Sequence, residues 1–198
     1  MKPTFDRTRA LSWSAISSFE YNKKEWYNKY VLGHRQRETP EMAFGKVIGE
    51  RLASDPEFLP EVPRLAKFEH AFNVMFDGIP LVGYADTFCT STKRKLYEYK
   101  TGVKPWTKKR ADEHGQIDMY ALLHYITEKI PPEDVEFKLV WLPTKRVETG
   151  DFKVIVSLVL PVVPQIFTTK RTMLDIIAMG ARIKRTYKEM ILYCELST

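Results

Sequence analysis

"FNVMFDGIPLVGYADTFCTSTKRKLYEYKTG", residues 72–102, decides the fold. Up to Asp77-Gly78 the apolar residues Phe68, Phe72, Val74 and Phe76 recur in an extended pattern, and after it Ile79 to Phe88 resumes that pattern. An Asp-Gly pair between two such runs is a strong local hairpin signal. Ser91 to Arg94 supplies a second polar turn and Lys95 to Thr101 a third strand, so three consecutive strands form an antiparallel meander.

Working outward, Ile16, Phe19, Trp26, Tyr27, Tyr30 and Val31 share one helical stripe, which predicts a helix over 14–31 with Ser12 or Ser14 as its cap. Pro40-Glu41 opens a second helix, Met42 to Ser54, whose Gly45 and Gly49 leave one side thin enough for another backbone to approach; Asp55-Pro56 ends it. On the far side of the meander, Lys109 to Lys129 reads as a helix stopped by Pro131-Pro132. Val135 to Trp141 alternates as a fourth strand, and Phe152 to Leu160 makes a fifth after the Thr149-Gly150 turn. A last long helix runs from about Thr172 to Glu195. The order α, α, β, β, β, α, β, β, α predicts an α/β fold: a mixed sheet of about five strands flanked by helices. The expectation is a single domain over 1–198, with N-terminal helices within 12–55 and a C-terminal helix over 172–196 packed on it.

The chain carries 31 Lys plus Arg against 25 Asp plus Glu, a net charge of +6, which favours an anionic partner without identifying it. Cys89 and Cys194 are the only cysteines, too few for a disulfide framework or a four-thiolate cluster. No stretch approaches the ~20 apolar residues of a membrane span, and the first residues lack a signal-peptide core. These features predict an intracellular protein, cytoplasmic or nucleoid-associated, with no membrane partner. The four histidines form no HxH or HxxxH pair, and neither a P-loop nor a GxGxxG is present.

In a strand, residues two apart share a face, so Glu98 and Lys100 point one way and Tyr97 and Tyr99 the other. The pattern acid-x-Lys also occurs at Glu136-Phe137-Lys138 and Asp151-Phe152-Lys153, so by itself it means little. Only the copy at 98–100 has a second carboxylate placed to join it: pairing across the Ser91 to Arg94 turn brings Asp86 alongside Glu98. Two carboxylates meeting in a half-buried sheet repel, and a divalent cation removes that cost. Hard oxygen donors suit Mg²⁺ or Mn²⁺. Lys100 can then orient a water nucleophile and stabilise charge on a phosphoryl oxygen. On the next helix Gln116 and Tyr120 lie one turn apart, facing either the same cleft or, for Tyr120, a core. Between strand and helix, Lys104, Lys108, Lys109 and Arg110 surround Trp106, a loop that reads as a phosphate-neutralising, base-stacking segment or as a solvated charge run.

Gly83-Tyr84-Ala85-Asp86, then Glu98-Tyr99-Lys100-Thr101, then Gln116 and Tyr120, resemble the PD-(D/E)XK nuclease superfamily in its RecB-like branch, whose pattern is GxxD, ExK followed by Thr, and QxxxY. The Ser12-Trp13-Ser14-Ala15-Ile16 helix and the Phe44-Gly45-Lys46-Val47-Ile48-Gly49 segment add to the likeness, which spans about residues 11–145. The resemblance implies a restriction-endonuclease-like core and a Mg²⁺- or Mn²⁺-dependent deoxyribonuclease acting on ends or single strands and leaving a 5′ phosphate. It further implies metal ligands from Asp86, Glu98 and the Tyr99 carbonyl, Lys100 as the catalytic lysine, and a strand held by Gln116, Tyr120 and the Lys104–Arg110 loop. Relatives often carry a histidine near position 49 or 50, where this chain offers Glu50 as an acidic alternative ligand. The four-cysteine iron–sulfur cluster of some relatives is excluded by the cysteine count. A DNA substrate, with a helicase, a recombination protein or further copies of the chain as partner, follows from the same likeness. The rival readings are a non-catalytic nucleic-acid-binding module of that fold and a structure-specific endonuclease.

Overall fold

The computed structural model describes residues 5–34, 37–90, 94–149 and 153–197. Its helices are α1 (Trp13–Tyr21), α2 (Lys23–Tyr30), α3 (Pro40–Ser54), α4 (Lys108–Asp112), α5 (Gly115–Glu128) and α6 (Met173–Leu196). Its strands are β1 (Lys67–Phe76), β2 (Ile79–Cys89), β3 (Arg94–Gly102), β4 (Val135–Glu148), β5 (Val154–Leu158) and β6 (Gln165–Thr169). The architecture is α/β, with a mixed six-stranded sheet flanked by helices.

The meander forms as the turn signals require. β1 and β2 pair antiparallel around Asp77-Gly78, where both turn residues have positive φ, 47° and 80°. β2 pairs antiparallel with β3 only over Thr87–Cys89, and β3 runs parallel to β4 from Arg94↔Val135 to Gly102↔Pro143. A parallel neighbour needs a crossover, and α4 with α5 supply it. On its other edge β4 takes two antiparallel partners, β6 at Phe137–Trp141 and β5 at Thr144–Glu148.

Ile16 and Phe19 of α1, Trp26 of α2, Ile117 and Leu123 of α5 and Ile183 and Met190 of α6 pack with Phe72, Leu81, Phe88 and Leu96 in the main core. Against the other face, Ile48 and Leu52 of α3 pack with Val62, Val140 and Leu142, and Tyr99 leans on this second cluster. α5 is apolar on nearly every side, with Ile117, Met119, Tyr120, Ala121, Leu122 and Leu123 all buried, as a helix enclosed by other elements must be.

Four expectations are corrected. The helix expected over 14–31 is two, because the Asn22 side chain accepts the Glu25 N–H at 3.1 Å and so competes with the helical ladder. The helix expected over 109–129 breaks before Gly115, whose missing side chain lets α5 press against Trp13; an added Cβ would lie 2.2 Å from the indole. The sheet has six strands rather than about five, because Gln165–Thr169, hidden behind Pro161 and Pro164, pairs along β4. Of the two thin-side glycines in α3, Gly45 does approach Thr101, whose Oγ1 would be 3.1 Å from an added Cβ, whereas Gly49 faces open space. The expected fifth strand is Val154–Leu158; Phe152, Gly150 and Ser91 to Lys93 lie outside the described residues.

Candidate active site

The site lies where the alternation of β2 fails. Ala85 and Phe88, three residues apart, both enter the main core, so the strand turns over at Asp86-Thr87. The partner strand yields at the same level: the register passes from Phe68↔Thr87 to His70↔Ala85, and Glu69 between them adopts φ 49°, strained for a residue with a Cβ. Thr87 turns to the other side, where its hydroxyl donates to the Lys67 carbonyl and accepts the Leu65 N–H, both at 3.0 Å.

This break places Asp86. The β2–β3 register runs Cys89↔Lys95, Phe88↔Leu96, Thr87↔Tyr97, so the next position sets Asp86 opposite Glu98. The backbone ladder stops there, and Asp86 Oδ2 accepts the Tyr99 N–H at 2.6 Å. Burial, and then the Glu98 charge beside it, push the Asp86 carboxyl well above the usual carboxylate range. Glu98 is itself buried, 3% exposed.

Glu98 is the hub of a hydrogen-bonded cluster. Its Oε1 lies 2.5 Å from Lys100 Nζ and accepts from Gln116 Nε2 at 2.7 Å. Gln116 Oε1 accepts from Lys100 Nζ at 2.8 Å, while Gln116 Nε2 also donates to the Tyr120 hydroxyl at 2.6 Å. That hydroxyl lies 2.5 Å from the Tyr84 carbonyl and 3.0 Å from Glu98 Oε2. A hydroxyl has one proton, so donating it to Tyr84 leaves Glu98 Oε2 with unused acceptor capacity next to Asp86. Burial and the two carboxylates push the Tyr120 phenol well above its usual range.

The structure thus brings together Asp86, Glu98, Lys100, Gln116 and Tyr120. Tyr99 sends its ring to the opposite face, where its hydroxyl donates to the Pro63 carbonyl at 2.8 Å, and its backbone stays beside Asp86. Glu50 is not in this cluster: its exposed carboxylate lies 3.9 Å from Lys46 Nζ on α3. Among the described residues no group of three His, Cys, Asp or Glu is placed to hold a metal, so the acidic donors gathered here are the pair Asp86 and Glu98. Their chemistry nevertheless fits a hard divalent cation: two carboxyl oxygen donors stand side by side, burial and the Glu98 charge disfavour the ionised Asp86, and a bound cation would offset both.

The basic loop is committed locally. Lys108 pairs with Asp112 and Lys109 lies 3.9 Å from Glu113, one helical turn apart in each case. Arg110 stacks over the Trp106 ring at 4.0 Å, and the His114 ring meets the same indole at 5.0 Å. Trp106 is packed beside Ala111, Leu139 and Trp141. Lys104 is exposed with no ion pair among the described residues. The copy at Glu136 and Lys138 is a closed surface pair at 3.1 Å, with the Tyr97 hydroxyl donating to Glu136 at 2.7 Å. Asp151 lies outside the described residues.

Three contributors to the site lie outside its motif residues, and of them only His114, two residues before Gln116 at a helix start, stands out in the sequence. The Tyr84 carbonyl anchors Tyr120. Burial, together with Lys100, Arg110 and Arg171, holds the His114 imidazole down to about 4. Arg171, buried at the end of β6, pairs with Asp118 and reaches the His114 carbonyl at 3.5 Å, tying down the first turn of α5. Among the described residues no helix is long and apolar enough to cross a membrane.

No family model and no curated protein matches this chain. Among solved structures it is similar to the crystal structure of SSO0001, with a TM-score of 0.44 and 12% identity over 90% of this chain and 75% of that one.

Proposed function

We propose that this chain is a divalent-metal-dependent deoxyribonuclease with a restriction-endonuclease-like core of the PD-(D/E)XK, RecB-like type, acting on ends or single strands. The observation that carries the reading is the junction of Asp86, Glu98 and Lys100 where β2 and β3 part, with Lys100 Nζ 2.5 Å from Glu98 Oε1. The meander, the crossover through α5 and the parallel β4 support the same reading. Asp86, Glu98 and the Tyr99 carbonyl would hold Mg²⁺ or Mn²⁺. When bound, that ion supplies Lewis-acid polarisation of the phosphoryl group and a more acidic water.

The chain's own residues do the rest. An ammonium has three N–H donors; Lys100 spends two on Glu98 and Gln116 and keeps one for the attacking water or a phosphoryl oxygen. Water adds to phosphorus, the bond to the 3′ oxygen breaks, and a proton passes to that oxygen, leaving a 5′ phosphate. Glu98 is buried and Asp86 half-buried, so the pair is only partly open to solvent. With a net charge of +6 the chain attracts a polyanion as a whole, although two lysines of its most basic loop have acids one helical turn away.

The test is cleavage of end-labelled single- and double-stranded DNA, linear and circular, with Mg²⁺, with Mn²⁺ and with EDTA. Cutting that needs the metal and disappears in Asp86→Ala and Lys100→Ala is expected. An inert wild type, or variants that cut as well as it does, would end this reading.

A further inference from the structure

We propose that Gln116 is a positioning residue that orients the Lys100 ammonium, and that it does not grip the nucleic-acid strand; this rests on the nuclease reading of the same cluster. Both donors of the amide and one of its oxygen's two acceptor positions are engaged. Its oxygen accepts from Lys100 Nζ at 2.8 Å, and its nitrogen donates to Glu98 Oε1 at 2.7 Å and to the Tyr120 hydroxyl at 2.6 Å. The orientation of this amide is fixed by chemistry: the flipped form would set an NH₂ against an ammonium and a carbonyl against a carboxylate. A strand-binding glutamine keeps donors or acceptors for bases and phosphates, and here both donors and the main acceptor direction are engaged inside the protein.

A primary ammonium on a four-carbon stem otherwise rotates and wanders. Glu98 alone gives Lys100 one acceptor, about which the ammonium can swing. Adding Gln116 Oε1 as a second acceptor fixes two of the three N–H directions and therefore the third. Gln116 is held in turn from both sides of its own helix. Gly115 before it is wedged on Trp13, and Asp118 after it is paired with the buried Arg171. Lys100 is thereby aimed from α5, an element remote in sequence from its own strand.

Two variants separate the roles. Gln116→Met keeps length and bulk but offers no hydrogen bond, and Gln116→Glu keeps an acceptor for Lys100. The reagents are an amine-acetylating ester with peptide mass spectrometry to follow Lys100, a labelled single strand in EDTA to measure Kd, and cleavage kinetics with Mn²⁺. For Gln116→Met, Lys100 acetylation should rise and kcat fall by about 10- to 100-fold, the worth of a hydrogen bond to a charged group. Kd and KM should stay within about twofold, the split expected when positioning alone is lost. Gln116→Glu should restore the slow acetylation. A raised Kd or KM at unchanged kcat, or Lys100 acetylation indifferent to Gln116→Met, overturns the proposal. If the wild type cuts nothing, the nuclease reading falls alone, because acetylation and strand affinity still decide whether Gln116 holds Lys100 or the strand.

Discussion

Replacing Gly115 by alanine probes the contact that sets α5, and with it Gln116 and Tyr120, against the acidic pair. The new Cβ would lie 2.2, 2.7 and 2.8 Å from three carbons of the Trp13 six-membered ring. Trp13 cannot simply swing aside, since the Arg182 guanidinium sits 4.9 Å over its ring and His114 meets it edge-on at 6.4 Å. Overpacking against a rigid ring costs about 3 kcal/mol, the upper end of the usual range, and alanine returns up to ~1 kcal/mol of helix propensity, a net loss of about 2 kcal/mol. In a chain of this length each kcal/mol moves Tm by about 2–4 °C, so Gly115→Ala should melt about 4–8 °C lower. Thermal unfolding followed by far-UV circular dichroism measures this directly. The same substitution made in a Trp13→Leu background should cost almost nothing, giving a coupling of about 2 kcal/mol between the two positions. An unchanged Tm, or an equal loss in both backgrounds, would show that the close approach of α1 to α5 is not what places the helix.

Asp86→Asn keeps the acceptor for the Tyr99 N–H and removes the repulsion with Glu98, so in EDTA it should melt a few degrees above wild type. Because the Asp86 carboxyl is raised above its ordinary 3.8, wild-type stability is fully present below that pH and declines as pH rises through the folded-state value; the asparagine variant should lack that decline in EDTA melts. Mn²⁺ at about 100 times its Kd should add about 2.7 kcal/mol to wild type and nothing to Asp86→Asn, visible as a thermal shift in one protein alone. His114, held to about 4 against an ordinary 6.5, refuses a proton that the unfolded chain accepts, so between pH 7 and pH 5 the protein should lose about 1–2 kcal/mol that His114→Asn retains in urea titrations. Arg171→Met should cost about 3 kcal/mol by stranding Asp118, and the double variant Arg171→Met/Asp118→Leu should recover most of it; a double variant as unstable as the single one would contradict the pairing.

Much of the sheet was legible because its causes are local. Asp77-Gly78 makes a hairpin, alternation puts Glu98 and Lys100 on one face, and counting back across the turn brings Asp86 level with Glu98. The tyrosines of that strand do pack on the opposite face. Elements set by tertiary contact were less legible. Ile166, Phe167, Thr168 and Thr169 are strand formers, but a five-residue run behind Pro161 and Pro164 becomes a strand only on the edge that β4 offers, and the end of α1 depends on whether Asn22 bonds along the helix or caps the next one. The basic loop is different, for its fate was written at four-residue spacing: Lys108 with Asp112 and Lys109 with Glu113 are helix pairs, and Arg110 returns to Trp106 across the same turn. Read as a string of cations it suggests phosphates; read with its acids, Lys108 and Lys109 each have an exposed helix partner, while Lys104 has no ion pair among the described residues.

What the string could not show is why two carboxylates tolerate each other at this point. In an unbroken β2 the residues after Ala85 would keep alternating, and Phe88 would point away from the core that Ala85 enters. The core claims both, through Phe72, Leu96 and α5, and the strand must turn over between them. That disruption is matched by Glu69 in a left-handed conformation across the hairpin and ends the pairing with β3. It leaves the Tyr99 N–H without a strand partner at the one place where a short acidic side chain can reach it, and Asp86 does so. The acidic pair is therefore a by-product of apolar packing on either side: hydrophobic burial bends the strand, the bend exposes a backbone donor, and the donor fixes a carboxylate against Glu98. Helix α5 then closes the arrangement, because Gly83 and Gly115 let it lie close enough for Gln116 and Tyr120 to reach Glu98; a Cβ at Gly83 would stand 2.5 Å from Leu123 and 3.3 Å from the Tyr120 ring. A side chain at either glycine should loosen the cluster without touching a charged group.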